Sequence, residues 1–226
     1  PMFTRVRHIA FNTEAERQLC RSVFGRFLAP NSIVGCGIEM APEAEWSGVK
    51  AKYELPDEYV LYLGRVSKAK VDKLLPYFLR CKAKYGGDAK LVLVGGFENE
   101  IRKFDSPDIL FTGYVSDEEK TAIVRHATVM VNPSPMESLS LLMLEGMQSR
   151  IPLLVNGRSK VMKDHCRLSG AGLWYNNGRD FRKKLHRLLS DPELRRTMSE
   201  KGPAYVREHY DWEIIIPKLR TLIESI

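Results

Sequence analysis

The chain has 226 residues, 44% hydrophobic and 28% charged, which is a globular composition with enough length for one large core or two modest ones. A net charge of +7 and a pI near 9.2 favour anionic partners: nucleotides, phospholipid surfaces or nucleic acid. The longest apolar run, around Leu139–Leu144, is far too short to span a bilayer, and PMFTRVRHIAF lacks the apolar core of a secretory signal. No Met opens the chain, as expected of a piece of a longer protein. Cys20, Cys36, Cys81 and Cys166 stand apart with no CxxC pair, which excludes a disulfide framework and a zinc site and suits a reducing cytosol.

In chain order, HIAFNTEAERQLCRSVFG reads as a strand, an Asn/Thr cap and a helix. SIVGCGIEMAPEAEWSG reads as a last strand and then a loop. These first 42 residues make one and a half βα units, too little for a core of their own. Short apolar runs then alternate with helical stretches. YVLYLG (Tyr59–Gly64) precedes a helical pattern through Lys84, and KLVLVGG (Lys90–Gly96) follows the turn YGGD. ILFTGYV (Ile109–Val115) precedes a helix opened by Ser116, where Ser116 and Glu119 form a capping-box pattern. ATVMVNPS (Ala127–Ser134), IPLLVNG (Ile151–Gly157) and AGLWYN (Ala171–Asn176) complete the series. Such a series predicts an α/β, Rossmann-like, doubly wound parallel sheet over residues 43–210. HYDWEIIIPKLRTLIESI reads as an aromatic step and an amphipathic helix over 211–226. The densest basic run, RKKLHR (Arg182–Arg187), reads as a solvated helix face, with a membrane-surface or acidic-ligand patch as the alternative.

Ligands of an open parallel sheet sit at the carboxyl ends of its strands. Three such ends carry chemistry. LGRVSKAK places Arg65 and Lys70 just beyond the strand-ending Gly64, two cations suited to a diphosphate. VGGFENE offers Gly95 and Gly96 for close backbone approach to a flat ligand. NPSPMESLSLLMLE ends a strand and starts a helix, whose free amides form an anion site supplied by Ser138, Leu139, Ser140 and Leu141.

That third segment holds Glu137 and Glu145. If most of the segment is helical, eight residues place them about 12 Å apart along the axis and about 80° apart around it. A hydrolytic carboxylate pair stands roughly 5–9.5 Å apart. The spacing therefore suits two ends of one elongated ligand, such as a nucleoside diphosphate sugar. Glu145 would take the ribose hydroxyls and Glu137 would face the sugar. A helix N-terminal acid plus a stray polar position remains the alternative. No DxD, HExxH or Walker A pattern occurs, and the five histidines (His8, His126, His165, His186, His209) show no ligand spacing. A metal is not expected. Leaving-group charge then falls to Arg65, Lys70 and the helix amides.

In combination and in this order, GRVSKAKVDKLL, LVLVGG and ILFTGYVSDEEKTAIVRHATVMVNPSPMESLSLLMLEGMQSRIPLLVNG resemble the retaining, GT-B-fold glycosyltransferases of group 1, also called family 4. Glu137 and Glu145 match that family's Glu-x7-Glu signature, and Gly64, Arg65 and Lys70 match its glycine-arginine-lysine motif. The resemblance implies that Arg65 and Lys70 bind the donor diphosphate, that Glu137 is the catalytic-site contact to the transferred sugar, and that Glu145 holds the ribose. It implies backbone contacts from Leu139, Ser140 and Leu141, and a base bordered by Gly95, Tyr114 and Val115. The sequence departs from the pattern at Ser140 and Arg150, where the family usually or often has Gly, and at Leu139, often aromatic. The first 42 residues resemble the end of the family's N-terminal domain, and the last helix resembles the one that crosses back to that domain.

The expected function is the donor-binding half of a metal-independent, retaining glycosyltransferase. It would use UDP-, GDP- or a similar nucleotide sugar, with no cofactor, and a glycan or lipid-linked acceptor in cell-surface polysaccharide or glycolipid synthesis. Its partner is the missing N-terminal domain, in the same or another chain. Nucleic acid is not an expected partner, and the expected location is the cytoplasm, with peripheral membrane contact as a variant. The alternatives are a nucleotide-sugar-binding module without turnover alone, and a sugar-nucleotide epimerase of similar fold, for which acid/base groups are not found.

Overall fold

The computed structural model describes residues 5–25, 29–96 and 106–225. The chain opens with β1 (Ile9–Phe11), α1 (Glu14–Phe24) and β2 (Asn31–Ile33). β1 and β2 pair in parallel as a separate two-stranded sheet. Thr13 caps α1, its hydroxyl accepting from the Glu16 amide at 3.1 Å.

The segment expected as a loop after β2 contains a short helix, α2 (Trp46–Lys52). Its cap is Glu45, whose carboxylate accepts from the Ser47 and Gly48 amides at 2.9 and 2.7 Å. After β3 (Tyr59–Leu63), the single helix expected through Lys84 is divided into α3 (Lys68–Val71) and α4 (Leu74–Tyr85). Pro76 accounts for the break: it has no N–H to offer the carbonyl of Asp72, and proline is tolerated only in a helix's first turn. The remaining elements are β4 (Lys90–Val94), β5 (Ile109–Gly113), α5 (Asp117–Arg125), β6 (Val129–Asn132), α6 (Leu141–Gln148), β7 (Leu153–Asn156), α7 (Lys160–Ser169), β8 (Gly172–Tyr175), α8 (Gly178–Ser190), α9 (Pro192–Tyr210) and α10 (Trp212–Glu224). The capping box of α5 forms as expected, the Ser116 hydroxyl accepting from the Glu119 amide and the Glu119 carboxylate from the Ser116 amide.

β3 to β8 form one parallel sheet in the order β5-β4-β3-β6-β7-β8. The order runs outward from β3 on one side and from β6 on the other, so the topological switch lies between those two strands. Side chains alternate across the sheet. Tyr59, Leu61, Val92, Met130, Leu153 and Val155 face one apolar layer with α5, α6, α7 and α9. Val60, Tyr62, Leu91, Leu93, Val129 and Leu154 face the other with α4 and α8. Burying a Val, Leu or Met side chain stabilises by roughly 1.5–3 kcal/mol, so this doubly covered sheet dominates the fold's stability.

α9 crosses α6 at close range. A Cβ on Gly202 would stand 2.4 Å from the Met147 carbonyl oxygen, so only glycine admits this approach. The early residues are pinned to the later ones: Ile38 N–H donates to Tyr210 O at 3.1 Å, and Trp212 lies over Gly37. Among the described residues, no helix is long and apolar enough to cross a membrane.

Candidate functional site

The carboxyl ends of β3, β4 and β5 are built from three glycines with positive φ: Gly64 at 134°, Gly95 at 128° and Gly113 at 75°. Their backbones are laced together. Gly64 N–H donates to Val94 O, Gly95 N–H to Gly113 O and Val66 N–H to Gly96 O, each at 2.9 Å. The Tyr62 hydroxyl donates to Arg65 O at 2.9 Å and holds the turn that carries Arg65. Tyr114 follows β5, 87% exposed, its ring standing over Gly96. Val115, next to it, packs half-buried on the core. The residues Phe97–Glu100 of the VGGFENE turn lie outside the described residues.

At the switch point, a cleft of about 480 Å³ opens between the ends of β3 and β6. Gly64, Arg65 and Lys70 line one side, and Glu137, Ser138, Leu139, Ser140 and Leu141 the other. The β6–α6 connection is locked to the strand by Asn132. Its Nδ2 donates to Ser140 Oγ at 3.0 Å, while its Oδ1 accepts from Ser134 N–H at 3.0 Å. Lys70 Nζ reaches Ser134 Oγ at 3.4 Å, and that hydroxyl donates to Met136 O at 2.9 Å.

The helix expected from Ser138 begins later, at Leu141, because Ser140 turns the chain with φ 67°. Ser138, Leu139 and Ser140 are therefore loop residues. The open helix amides are those of Leu141 and Leu142, since Met143 N–H already donates to Ser140 O. The 12 Å helical separation of the two glutamates does not apply, because Glu137 precedes the left-handed turn and Glu145 follows it on the second turn of α6.

Glu137 lines the cleft, and its charge, after burial, pushes the Tyr62 phenol up to about 12. Glu145 is not among the residues lining that cleft. It packs half-buried against α5, its side chain 12% exposed, and its Oε1 stands 3.2 Å from Lys120 Nζ. Its Oε2 has no hydrogen-bond partner among the described residues. Burial lowers the Lys120 pKa, but the carboxylates of Glu145 and Asp117 outweigh it and hold the pKa above its usual value. An unsatisfied buried carboxylate oxygen is an acceptor waiting for a hydroxyl or amide donor.

The cleft also takes residues that sequence reasoning did not select: Asn12, Cys36, Tyr62, Asn132, Ser134 and Leu142. Asn12 and Cys36 come from the first 42 residues, and Thr13 Oγ1 donates to Ser138 O at 3.3 Å, so this early segment forms part of the wall. Asn132 was legible in principle as a polar residue ending an apolar strand. Behind Leu139 lies His165 of α7, buried, its Nδ1 sharing a hydrogen bond with the Tyr205 hydroxyl at 2.9 Å. Burial pushes its pKa down to about 4, opposed by the neighbouring Leu139 backbone and Asp164. Its Nε2 makes no hydrogen bond among the described residues.

Comparison with known proteins follows the same lines. The profile of the family described as "Glycosyl transferases group 1" matches residues 48–205. Alpha-D-kanosaminyltransferase of Streptomyces kanamyceticus is 30% identical over 174 residues, 71% of this chain and 44% of that protein. Sulfoquinovosyl transferase SQD2 of Arabidopsis thaliana is 28% identical over 169 residues, 71% of this chain and 32% of that protein. The chain spans less than half the length of these curated relatives. Among solved structures, sucrose-phosphate synthase from Thermosynechococcus elongatus has a TM-score of 0.80 at 20% identity, covering 99% of this chain and 59% of that one. Anabaena HepE, solved in complex with UDP and glucose, has a TM-score of 0.79 at 12% identity, covering 98% of this chain and 64% of that one. At such identities the structures speak for the fold. With the profile and the curated relatives beside them, this chain belongs to the glycosyl transferases of group 1 and carries the Rossmann-like α/β sheet of the GT-B glycosyltransferases.

Proposed function

We propose that the chain is the donor-binding half of a retaining, metal-independent glycosyltransferase that uses a nucleoside diphosphate sugar. The observation that carries this reading is the switch-point cleft, where Arg65, Lys70, Glu137 and the open amides of Leu141 and Leu142 line one hollow. Arg65 and Lys70 take the diphosphate, with the α6 amides adding positive potential at its far side. This is the charge stabilisation a departing nucleoside diphosphate needs, supplied by the chain's own groups. Glu137 faces the transferred sugar. Glu145 accepts from the ribose through its unpaired Oε2, and the base lies by Gly95, Tyr114 and Val115. Residues 1–42 are the end of an acceptor-side domain, in the same or another chain, that completes the cleft. The acceptor is a glycan or a lipid-linked sugar met at the cytoplasmic side, with peripheral membrane contact.

A binding module without turnover of its own is the second reading. It is favoured by how little the early segment adds to the cleft, Asn12 and Cys36 among the described residues.

Calorimetric titration of UDP, GDP and ADP, each with and without chelator, tests the donor site. One of them should bind, and chelator should not matter. Arg65→Ala and Lys70→Ala should each weaken the diphosphate by about tenfold while leaving the bare nucleoside nearly unchanged. Equal losses for both ligands, or no nucleotide binding at millimolar concentration, would overturn the assignment. Slow release of sugar from a bound donor would favour the enzyme over the module.

A further inference from the structure

The carboxyl ends of β6, β7 and β8 enclose a second cavity of about 580 Å³, roomier than the cleft beside it. Pro133 and Pro135 line its side, and Lys70 lines both hollows. The second cavity is strongly cationic: Lys68, Lys70, Lys73 and Arg158 line it against a single carboxylate, Asp72. The side chains of Lys73 and Arg158 have no ion-pair or hydrogen-bond partner among the described residues.

The cavity's walls are fixed by packing and hydrogen bonds. Tyr77 packs on Gly178, where a Cβ would come within 2.6 Å of the ring. Tyr175 meets Tyr77 edge-on, ring centres 6.3 Å apart. Asn156 holds the rim: its Nδ2 donates to Pro133 O at 2.9 Å and its Oδ1 accepts from the Arg158 amide at 3.1 Å. Tyr175 is 96% buried by its 4% exposure, yet its hydroxyl makes no hydrogen bond among the described residues while lining the cavity. The ring is packed away while the hydroxyl opens into the cavity, where it can donate to or accept from a ligand.

The chemistry selects a class of ligand. Two unpaired cations at one rim call for a phosphate or carboxylate. A phenol hydroxyl open to the cavity and tyrosine rings call for a polar ring with hydroxyls to share and an apolar edge to rest on. We propose that this cavity is a second ligand site, for an anionic saccharide: a sugar ring that bears a phosphate or a carboxylate. Lys73 and Arg158 hold the anion, and Tyr175 takes a ring hydroxyl. Lys70 stands between this site and the neighbouring cleft, so two anionic ligands compete for its charge, and each weakens the other by the same factor. The site goes beyond the donor reading and does not rest on it, since none of Lys73, Arg158 and Tyr175 lines the first cleft.

The test is binding of glucose 6-phosphate, glucuronate, glucose and inorganic phosphate to the 226-residue chain, without nucleotide, by ligand-observed NMR and calorimetry. Glucose 6-phosphate or glucuronate should bind at least tenfold tighter than glucose and than phosphate alone, and which of the two wins separates a phosphorylated sugar from a uronate. Lys73→Gln and Arg158→Gln, both at exposed positions, should each lower that affinity by about threefold to tenfold and leave nucleotide affinity unchanged. Tyr175→Phe should weaken the anionic sugar without changing the thermal midpoint by more than a few degrees. Phosphate binding as well as the sugar phosphate would reduce the site to an adventitious ion only. Anionic-sugar affinity that ignores Lys73 and Arg158, or no binding of any probe at millimolar concentration, would overturn the proposal outright.

Discussion

Lys120 reaches from α5 to Glu145 on α6, Nζ to Oε1 at 3.2 Å, and Oε2 of the same carboxylate has no hydrogen-bond partner among the described residues. One oxygen is thus held in place, and the other is a buried acceptor. Glu145→Gln should therefore lower the affinity for a nucleoside diphosphate by about tenfold, the value of one charge-assisted acceptor. Glu137→Gln, in the wall of the cleft, should leave plain nucleoside diphosphate affinity nearly intact and act only on sugar-bearing donors. Calorimetry on the two variants side by side decides it. Equal losses would make both glutamates structural.

Gly95 makes a second prediction. A Cβ there would lie 2.2 Å from the Gly64 carbonyl oxygen, on a backbone at φ 128°. Both strand ends must then move apart. Gly95→Ala should cost at least about 2 kcal/mol in urea unfolding, combining left-handed strain with overpacking. A variant as stable as the parent would mean the β3 and β4 ends are not held this close.

Arg150 points the other way. It follows α6 at φ 64°, with its own N–H donating to Met147 O at 3.1 Å and Ile151 N–H to Gly146 O at 3.0 Å. That pair of bonds is a helix-ending motif that favours glycine. Arg150→Gly should stabilise the fold by about 1 kcal/mol, the cost of a side chain in the left-handed region. Arg150→Ala should not, and the comparison of unfolding midpoints isolates the backbone effect.

His165 predicts a pH dependence. Its folded pKa is pushed down to about 4 from an ordinary 6.5, so between these values the unfolded chain binds the extra proton. Stability is thus fully present above pH 6.5 and is lost as pH falls toward 4, by on the order of 3 kcal/mol across the window. His165→Gln should flatten the unfolding free energy over that range. An unchanged slope would assign the acid sensitivity to other groups.

The strands were readable because near-continuous apolar runs such as YVLYL and KLVLV end in glycine, and a doubly covered parallel sheet needs both features. α2 was not, because a glutamate is an uncommon cap and its carboxylate takes two amides only once the turn exists. The division between α3 and α4 could have been read from Pro76. In the cleft, the cations after Gly64 were visible as a local pattern. The wall supplied by Asn12 and Cys36 was not, since nothing near them in sequence points to Ser138. Ser140 lies between these cases. A serine where the resembling family has glycine marks the left-handed turn, yet the same residue invited a helix to start too early. The two glycine departures, Ser140 and Arg150, turn out to flank α6 as its two left-handed residues.

The sheet order also bears on synthesis. β3 pairs with β4, its near neighbour, and with β6, whose Val129 aligns with Val60 across the whole intervening β4–β5 segment. As the chain leaves the ribosome, the β5-β4-β3 half emerges first, with one backbone edge of β3 open and its apolar side chains uncovered. That edge is a template for a wrong strand until β6 arrives to close it. A pause in translation or a truncation just before Val129 would thus leave a half-sheet whose sticky edge is the very strand that ends in Gly64.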